Sequence, residues 1–347
     1  MAITDFQYFL LFVFTFAVVG FLTPVMRKIA ITNKIYDAPT AAHKTHKEPV
    51  PYLGGVAIII GVVLISYGVA IVEGFTGKNI VLLTSVLAPA IILGGIGLWD
   101  DMRNLRPGPR LAIQTVAGLF TAWILISQNT IGNPTNSTII DALITSIWVV
   151  GICNSINFFD NLDGGAAGTV AVTSIALFIL GFQGQQFLIA ALSAVTAGAT
   201  IGFLLWNKSP ARIYMGDAGA LFLGVLIATL TIRLQPDTEV MWTSLATPVL
   251  LLAVPILDTC VAVLSRIKRG ISPFQGGHDH LSHRLIRGGL SRRSAAFTLW
   301  GISGFFALCA IAIPRTSQNL EQIIVAVAAL VWAVLLIKFF QSKDSAE

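Results

Sequence analysis

Charged side chains are scarce in this sequence: they make up 11% of its 347 residues, against 55% hydrophobic ones. A water-soluble domain carries about a quarter charged residues, so an ordinary soluble globule is excluded and a polytopic membrane protein is expected. Cysteine is nearly absent. Cys153, Cys260 and Cys309 lie in or beside apolar segments without paired spacing, which argues against a disulfide framework or a zinc site and leaves them as small apolar side chains. No repeat period, low-complexity tract or inverted pair of interrupted helices stands out, so neither a solenoid nor an inverted-repeat transporter is indicated. No cleavable signal peptide is evident: the apolar stretch from Phe6 runs into Arg27 and Lys28, the order of a permanent first helix.

Apolar length is what the chain has in abundance. A span needs about 20 residues, and runs of that kind fall at 6–26, 53–72, 80–99, 110–126, 139–153, 166–182, 185–206, 218–232, 244–264, 295–313 and 320–340. The fifth and eighth are short, and Gly181–Gly184 between the sixth and seventh reads as a tight turn. The expected fold is an all-α integral membrane bundle of about 11 helices, one transmembrane domain over 1–347. An odd number of spans puts the termini on opposite sides. With the N-terminus outside, all 22 Lys and Arg except Lys78, Arg233 and Arg315 fall on the inner side. Positive charge marks the cytoplasmic side, which predicts a cytoplasmic C-terminus. The formal net charge of +5 is then a topology signal rather than a footprint for nucleic acid.

The same orientation gathers the polar clusters on the inner face, in loops at about 27–52, 100–110, 154–165, 207–218 and 265–294. Asp100 and Asp101 follow GGIGLW. NSINFFDNLDGG joins the fifth and sixth spans, SPARIYMGDAG the seventh and eighth, and GISPFQGGHDHLSHRLIRGG the ninth and tenth. Each has an ordinary explanation when taken alone. Asp217 could cap a helix, the arginines could serve topology, and Asp258, inside the ninth span, could pair with an arginine in helix packing. Their joint placement on one face is the stronger signal.

Carboxylates at Asp100, Asp101, Asp160 and Asp217 suit a hard divalent cation. Mg²⁺ takes one or two protein carboxylates and completes its shell with waters and substrate phosphates. Arginines nearby would grip phosphate oxygens through their planar fork. Such a set on a membrane surface suggests phosphoryl transfer between a soluble donor and a lipid acceptor. A CDP-alcohol phosphotransferase would need an arginine after Asp163-Gly164, where Gly165-Ala166-Ala167-Gly168 stands instead. A secondary transporter would place its ionisable groups nearer the midplane.

The segments HKEPVPYLGGVAI, GLWDDMRNLRPGPR, NSINFFDNLDGGAAG, PARIYMGDAGALFLG and ISPF…DHLSHRL, in that order from about Lys44 to Arg284, resemble the polyprenyl-phosphate N-acetylhexosamine-1-phosphate transferases. The resemblance implies a transfer of sugar-1-phosphate from a UDP-sugar, GlcNAc foremost, to polyprenyl phosphate. It implies Mg²⁺ as cofactor, with Mn²⁺ as a substitute, and Asp217 as the metal ligand. Asp100 and Asp101 would lie beside the metal and diphosphate, and His280 and His283 would act at diphosphate or sugar. Lys44, His46, Asn154, Asn157, Asp160, Asp163 and Arg284 would bind substrate. The implied partners are a UDP-N-acetylhexosamine, a polyprenyl phosphate and the lipid bilayer of the inner membrane, with no nucleic acid; a homodimer is left open. A phospho-MurNAc-pentapeptide translocase is the alternative enzyme, and a transporter of lipid-linked sugars the non-enzymatic alternative.

The chain departs from the family pattern at several points. Asn104 replaces a third acid, Tyr52 an arginine, Gly165 a leucine and Asn161 a glycine, while Ser282 interrupts adjacent histidines.

Overall fold

The computed structural model describes residues 4–37, 50–103, 105, 107–238, 240–272 and 277–342. In chain order the elements are α1 (Asp5–Thr32), the two-residue strands β1 (Tyr36–Asp37) and β2 (Val50–Pro51), α2 (Gly54–Val72), α3 (Lys78–Arg103) and α4 (Pro107–Ser127). Then follow α5 (Thr138–Phe159), α6 (Gly165–Gln183), α7 (Phe187–Asn207), α8 (Gly216–Arg233), α9 (Met241–Leu251), α10 (Ala253–Lys268), α11 (Leu281–Arg287), α12 (Arg292–Ala312) and α13 (Gln318–Gln341). Among the described residues ten helices are long and apolar enough to cross a membrane, and α9 with α10 makes an eleventh if that bent pair is one span. The all-helical bundle expected from the sequence is present; the strand pair β1–β2, antiparallel, is a small addition.

The ninth expected span, 244–264, is not one helix. It breaks at Leu252, and α9 and α10 meet at 74°. Pro255 has no N–H and cannot bond the carbonyl four residues earlier, which loosens the helix there. That carbonyl, on Leu251, accepts the Thr173 hydroxyl at 2.8 Å, and the Ala253 carbonyl accepts the Trp332 indole N–H at 3.0 Å. With no water in the lipid core, the freed Leu251 carbonyl needs such a partner.

Other helices outrun their apolar runs at the end that carries the acids. α3 continues to Arg103 and α5 to Phe159, so Asp100, Asp101, Asn154 and Asn157 are helical rather than loop residues. Rigid helix ends therefore carry these groups.

α8 is the centre of the bundle. Every residue from Ala218 to Thr231 is buried, and α3, α5 and α2 pack around it. In lipid, helices associate through close backbone approach at small residues. A Cβ on Gly97 of α3 would overlap the Asp217 carbonyl, and one on Gly55 of α2 would overlap the backbone of Gly219. These contacts bring the ends of α2 and α3 against the N-terminus of α8. Gly97→Ala meets backbone that no rotamer change can move, so a drop of several degrees in melting temperature and loss of activity are expected. Gly95→Ala, where a Cβ meets open space, should leave both unchanged in the same thermal unfolding assay.

Candidate functional site

At the N-terminus of α8 the chain turns sharply. Gly216 has φ +71, and a Cβ there would sit 2.6 Å from an Asp101 carboxylate oxygen, so only glycine fits. That carboxylate accepts the backbone N–H groups of Asp217 (2.9 Å) and Ala218 (3.1 Å). Asp101 thus caps α8 from another helix, satisfying two of its orphan donors. Its own carbonyl accepts the Tyr52 hydroxyl at 2.7 Å.

Asp100, one position earlier, points elsewhere. It is buried, accepts the Leu105 N–H at 2.6 Å and accepts Arg110 Nη1 at 3.0 Å. The same Nη1 lies 3.1 Å from Oδ2 of Asp217, and Nη2 donates to Asn157 Oδ1 at 3.4 Å. Asn157 in turn donates to Asp217 Oδ1 at 2.6 Å. Residues of α3, α4, α5 and α8 therefore meet around one guanidinium. Asn154, one turn before Asn157, donates to Gln114 on α4 at 2.8 Å and to the Val150 carbonyl; it fastens α5 to α4.

Asp160 and Asp163 take different parts. Asp163 is buried, accepts the Ala211 N–H at 3.2 Å and faces Arg292 at 3.7 Å, which fixes the segment before α8. The Asp160 carboxylate has no hydrogen-bond partner among the described residues. Burial, then the neighbouring Asp217 and Asp163 charges, push it up to about 7.

The histidine segment is bolted to α10. Asp258, fully buried, accepts from His280 Nδ1 (2.7 Å) and from the Leu281 N–H (2.7 Å). Arg266 Nη2 lies 3.3 Å from His280 Nε2. A guanidinium only donates, so Nε2 accepts and the ring proton sits on Nδ1, facing Asp258. Asp258 thus pairs with a histidine rather than with an arginine. Arg266 also donates to Asp279 at 2.9 Å, and Arg269 pairs with the same carboxylate. Burial would raise Asp279, but the Arg266 hydrogen bond and the Arg269 charge outweigh it and hold the group below the usual range. His283 is half-buried, edge-on to His278 with ring centres 4.7 Å apart. Burial, and after it the His278 and Arg287 charges, lower it to about 4.

Arg284, which the resemblance puts at the substrate, is held by protein groups. It is buried, and its donors go to the Asp279 carbonyl (2.9 Å), Ser265 Oγ (2.6 Å) and the carbonyls of Phe339 and Ser342 (both 2.8 Å). It ties α11 to the C-terminal end of α13, where the helix dipole favours a cation. Lys44 and His46 fall in 38–49 and Asn104 at a single position, all outside the described residues.

Acid and histidine clusters are brought together through Phe158, whose ring centre lies 6.3 Å from that of His280, and through Ser282 Oγ, which donates to Asn161 Oδ1. Arg110 and Gln114 belong to the site although the sequence marks them only as a topology charge and a helix residue. A signal for Arg110 exists: a cation in the first turn of a helix opposes the macrodipole and needs carboxylates to hold it. A separate cavity of about 630 Å³, lined by Leu11, Ser66, Glu73, Asn79, Phe187 and Leu192 among others, lies at the opposite ends of α2, α3 and α7, away from these groups.

No group of three or more acidic, histidine or cysteine side chains forms a closed metal cage among the described residues. The donor set still suits a cation whose shell the substrate completes. Asp100 and Asp217 each place an oxygen within 3.1 Å of one nitrogen, and the Asn157 amide oxygen faces the same guanidinium. These are hard oxygen ligands in the small number that Mg²⁺ takes from protein.

Residues 83–235, which hold Asp100, Arg110, Asn157 and Asp217, match the glycosyl transferase family 4. A probable undecaprenyl-phosphate N-acetylglucosaminyl 1-phosphate transferase of Bacillus subtilis is 32% identical over 90% of this chain and 87% of its own. A decaprenyl-phosphate N-acetylglucosaminephosphotransferase of Mycolicibacterium smegmatis is 32% identical over 84% of this chain and 80% of its own. A phospho-N-acetylmuramoyl-pentapeptide-transferase of Streptococcus uberis is 28% identical over 75% and 81%. With likeness of this extent running through the residues that build the site, the chain belongs to glycosyl transferase family 4.

Proposed function

We propose that this membrane protein transfers N-acetylhexosamine-1-phosphate, with GlcNAc the first candidate, from a UDP-linked donor to a polyprenyl phosphate. The products are UMP and a lipid-diphosphate sugar, the first membrane step of a cell-envelope glycan. The observation that carries this reading is the convergence of Asp100, Asp217, Asn157 and Arg110 from four helices at one end of the bundle. The names of the Bacillus and Mycolicibacterium relatives supply the acceptor and sugar classes. The positive-inside distribution supports an outside N-terminus, a site facing the cytoplasm and an inner-membrane location.

A phosphate oxygen of the lipid forms a bond to the β-phosphorus of the donor, and the bond from that phosphorus to the bridging oxygen breaks. UMP departs with the electron pair. A phosphate monoester has its second pKa at about 6, so the acceptor is already largely dianionic near neutrality and no strong base is required. Positioning and charge neutralisation carry the catalysis. Asp217 and Asp100 would hold Mg²⁺, which when bound neutralises diphosphate charge. Asn157 orients Asp217, and Asp101 holds the helix end on which Asp217 stands. Arg110 counters the carboxylates and offers a planar fork to phosphate oxygens. Asp160, without a hydrogen-bond partner among the described residues, is placed to accept from a donor hydroxyl. His283, shifted to about 4, works as a neutral ring near pH 7.

Purified protein with Mg²⁺, polyprenyl phosphate and a panel of UDP-sugars should release UMP from an N-acetylhexosamine donor. Absence of UMP from every donor, with the protein folded, would favour a transporter instead. UMP only from UDP-MurNAc-pentapeptide would favour the second enzyme reading, which the streptococcal likeness supports. In that assay Asp217→Ala should lose more activity than Asp100→Asn. Alanine abandons both Asn157 and Arg110, whereas asparagine keeps one acceptor oxygen for either Leu105 or Arg110.

Two stability measurements bear on the charges. Arg110→Ala leaves Asp100 and Asp217 facing each other without a cation, so its melting temperature in EDTA should fall below that of the parent. Added Mg²⁺ should then raise the variant's melting temperature more than the parent's; an equal rise in both would place the metal elsewhere. For His283 the folded value of about 4 lies below the ordinary 6.5. Between those values the unfolded chain binds more protons, so stability falls as pH falls. His283→Gln should flatten the loss of melting temperature between pH 7 and pH 4.5.

A further inference from the structure

The cavity at the far end of the bundle carries polar groups that the acid site does not use. Its volume of about 630 Å³ is in the range of pockets that take small molecules. α1, α3 and α7 begin at this end and α2 finishes there, so the rim lies at the membrane surface opposite the acids. The lining changes with depth. Glu73 and Thr76 lie beyond the last residue of α2, whereas Leu11, Leu192 and Val195 lie more than a turn inside α1 and α7.

Two of the polar groups are incomplete. Glu73 Oε1 accepts from Gln7 Nε2 at 2.9 Å, and the carboxylate has no cation beside it among the described residues. Ser66 is 8% exposed, and its hydroxyl has no hydrogen-bond partner among the described residues. A buried hydroxyl left without a partner is costly, and this one stands on the cavity wall. The two residues are seven positions apart along α2 and its C-terminal cap. Seven residues make nearly two full turns, so both lie on one face, about 10 Å apart along the axis.

An occupant that completes this lining needs a cationic N–H donor at the surface, an oxygen acceptor about 10 Å deeper, and a hydrocarbon tail below. A phospholipid with a primary amine presents its groups in that order: ammonium, ester carbonyl, acyl chain. Lys78, beside Asn79 at the start of α3, is exposed and has no ion pair among the described residues. It supplies a counter-charge at the rim for the phosphate between amine and ester.

We propose that the cavity binds an amine-bearing phospholipid, with the ammonium on Glu73, an ester carbonyl on the Ser66 hydroxyl and one acyl chain in the apolar depth. Assigning this lipid to the outer leaflet rests on the topology proposed above; its binding does not depend on sugar transfer.

Delipidated full-length protein in detergent tests the proposal, with lipid binding followed by native mass spectrometry. The probes are phosphatidylethanolamine, phosphatidylcholine and phosphatidylglycerol with the same acyl chains. The first should bind about tenfold more tightly, because a trimethylated amine or a glycerol cannot form the charge-assisted N–H bond. Glu73→Gln, which keeps the side chain's length, should erase that preference. Ser66→Ala should weaken ester-linked phosphatidylethanolamine by about fivefold and leave an ether-linked analogue unchanged. Ala191→Phe puts a ring into the cavity wall and should weaken binding of every probe, with the melting temperature reporting that the variant is folded. Equal binding of the three headgroups by the parent, or a preference that survives Glu73→Gln, would overturn the role of the amine. Undiminished binding in folded Ala191→Phe would place the lipid elsewhere and overturn the site. UMP release enters none of these readouts, so the proposed reaction and this site fail or stand separately.

Discussion

Carboxylates at the end of a buried helix bundle repel each other and need a cation between them. Asp100 and Asp217 meet that requirement by sharing Arg110, whose Nη1 lies 3.0 and 3.1 Å from their oxygens. An isolated ionised group taken out of water is costly, so neither acid is tolerable in this position without the other residues around it. The arginine comes from α4, the acids from α3 and α8, and the amide that steadies Asp217 from α5. Helix packing and site assembly are therefore one problem here. The glycines that let α3 and α2 touch α8 place the acids, and the arginine makes their proximity stable.

A second network does the same for the histidine segment. Asp258, Arg266, Asp279 and Arg269 form a chain of opposite charges with His280 inserted in it. Removing Asp279 would leave the buried Arg266 without its carboxylate. Arg284 extends this anchoring to the last turn of α13, so the C-terminal helix, which otherwise faces outward, is attached at the site end of the bundle. Residues 279–284 are thus held by buried ionic contacts.

The spans are legible in the sequence because lipid demands about 20 apolar residues per helix, and the chain obeys that at α1 to α8, α12 and α13. The break at Leu252 is not. Pro255 is visible, but a proline inside an apolar run is compatible with a continuous, kinked helix; at the 74° bend Thr173 is in place to take the freed Leu251 carbonyl. For the site, residue types are legible and roles are not. Asp160 and Asp163 look equivalent in NSINFFDNLDGG, yet one is free of hydrogen-bond partners among the described residues and the other clamps the segment before α8. Arg284 reads as a substrate-binding residue, and its burial and its bonds to Ser265, Phe339 and Ser342 come from packing that motif position does not encode.

Asp100 and Asp101 show why adjacency in sequence is a poor guide to shared function. Successive residues on a helix are turned by about 100°, so the two neighbouring carboxylates at the end of α3 leave it in different directions. Asp100 faces α4 and the guanidinium; Asp101 faces α8 and its backbone N–H groups. The separation is useful. A helix N-terminus attracts anions, and without Asp101 its field would act on the Asp217 carboxylate one residue inside α8. With Asp101 occupying the N–H groups of Asp217 and Ala218, the Asp217 side chain is left to Asn157 and Arg110, and its direction is fixed toward Asp100. Asp101 therefore shapes the helix end so that Asp217 and Asp100 can meet across the site.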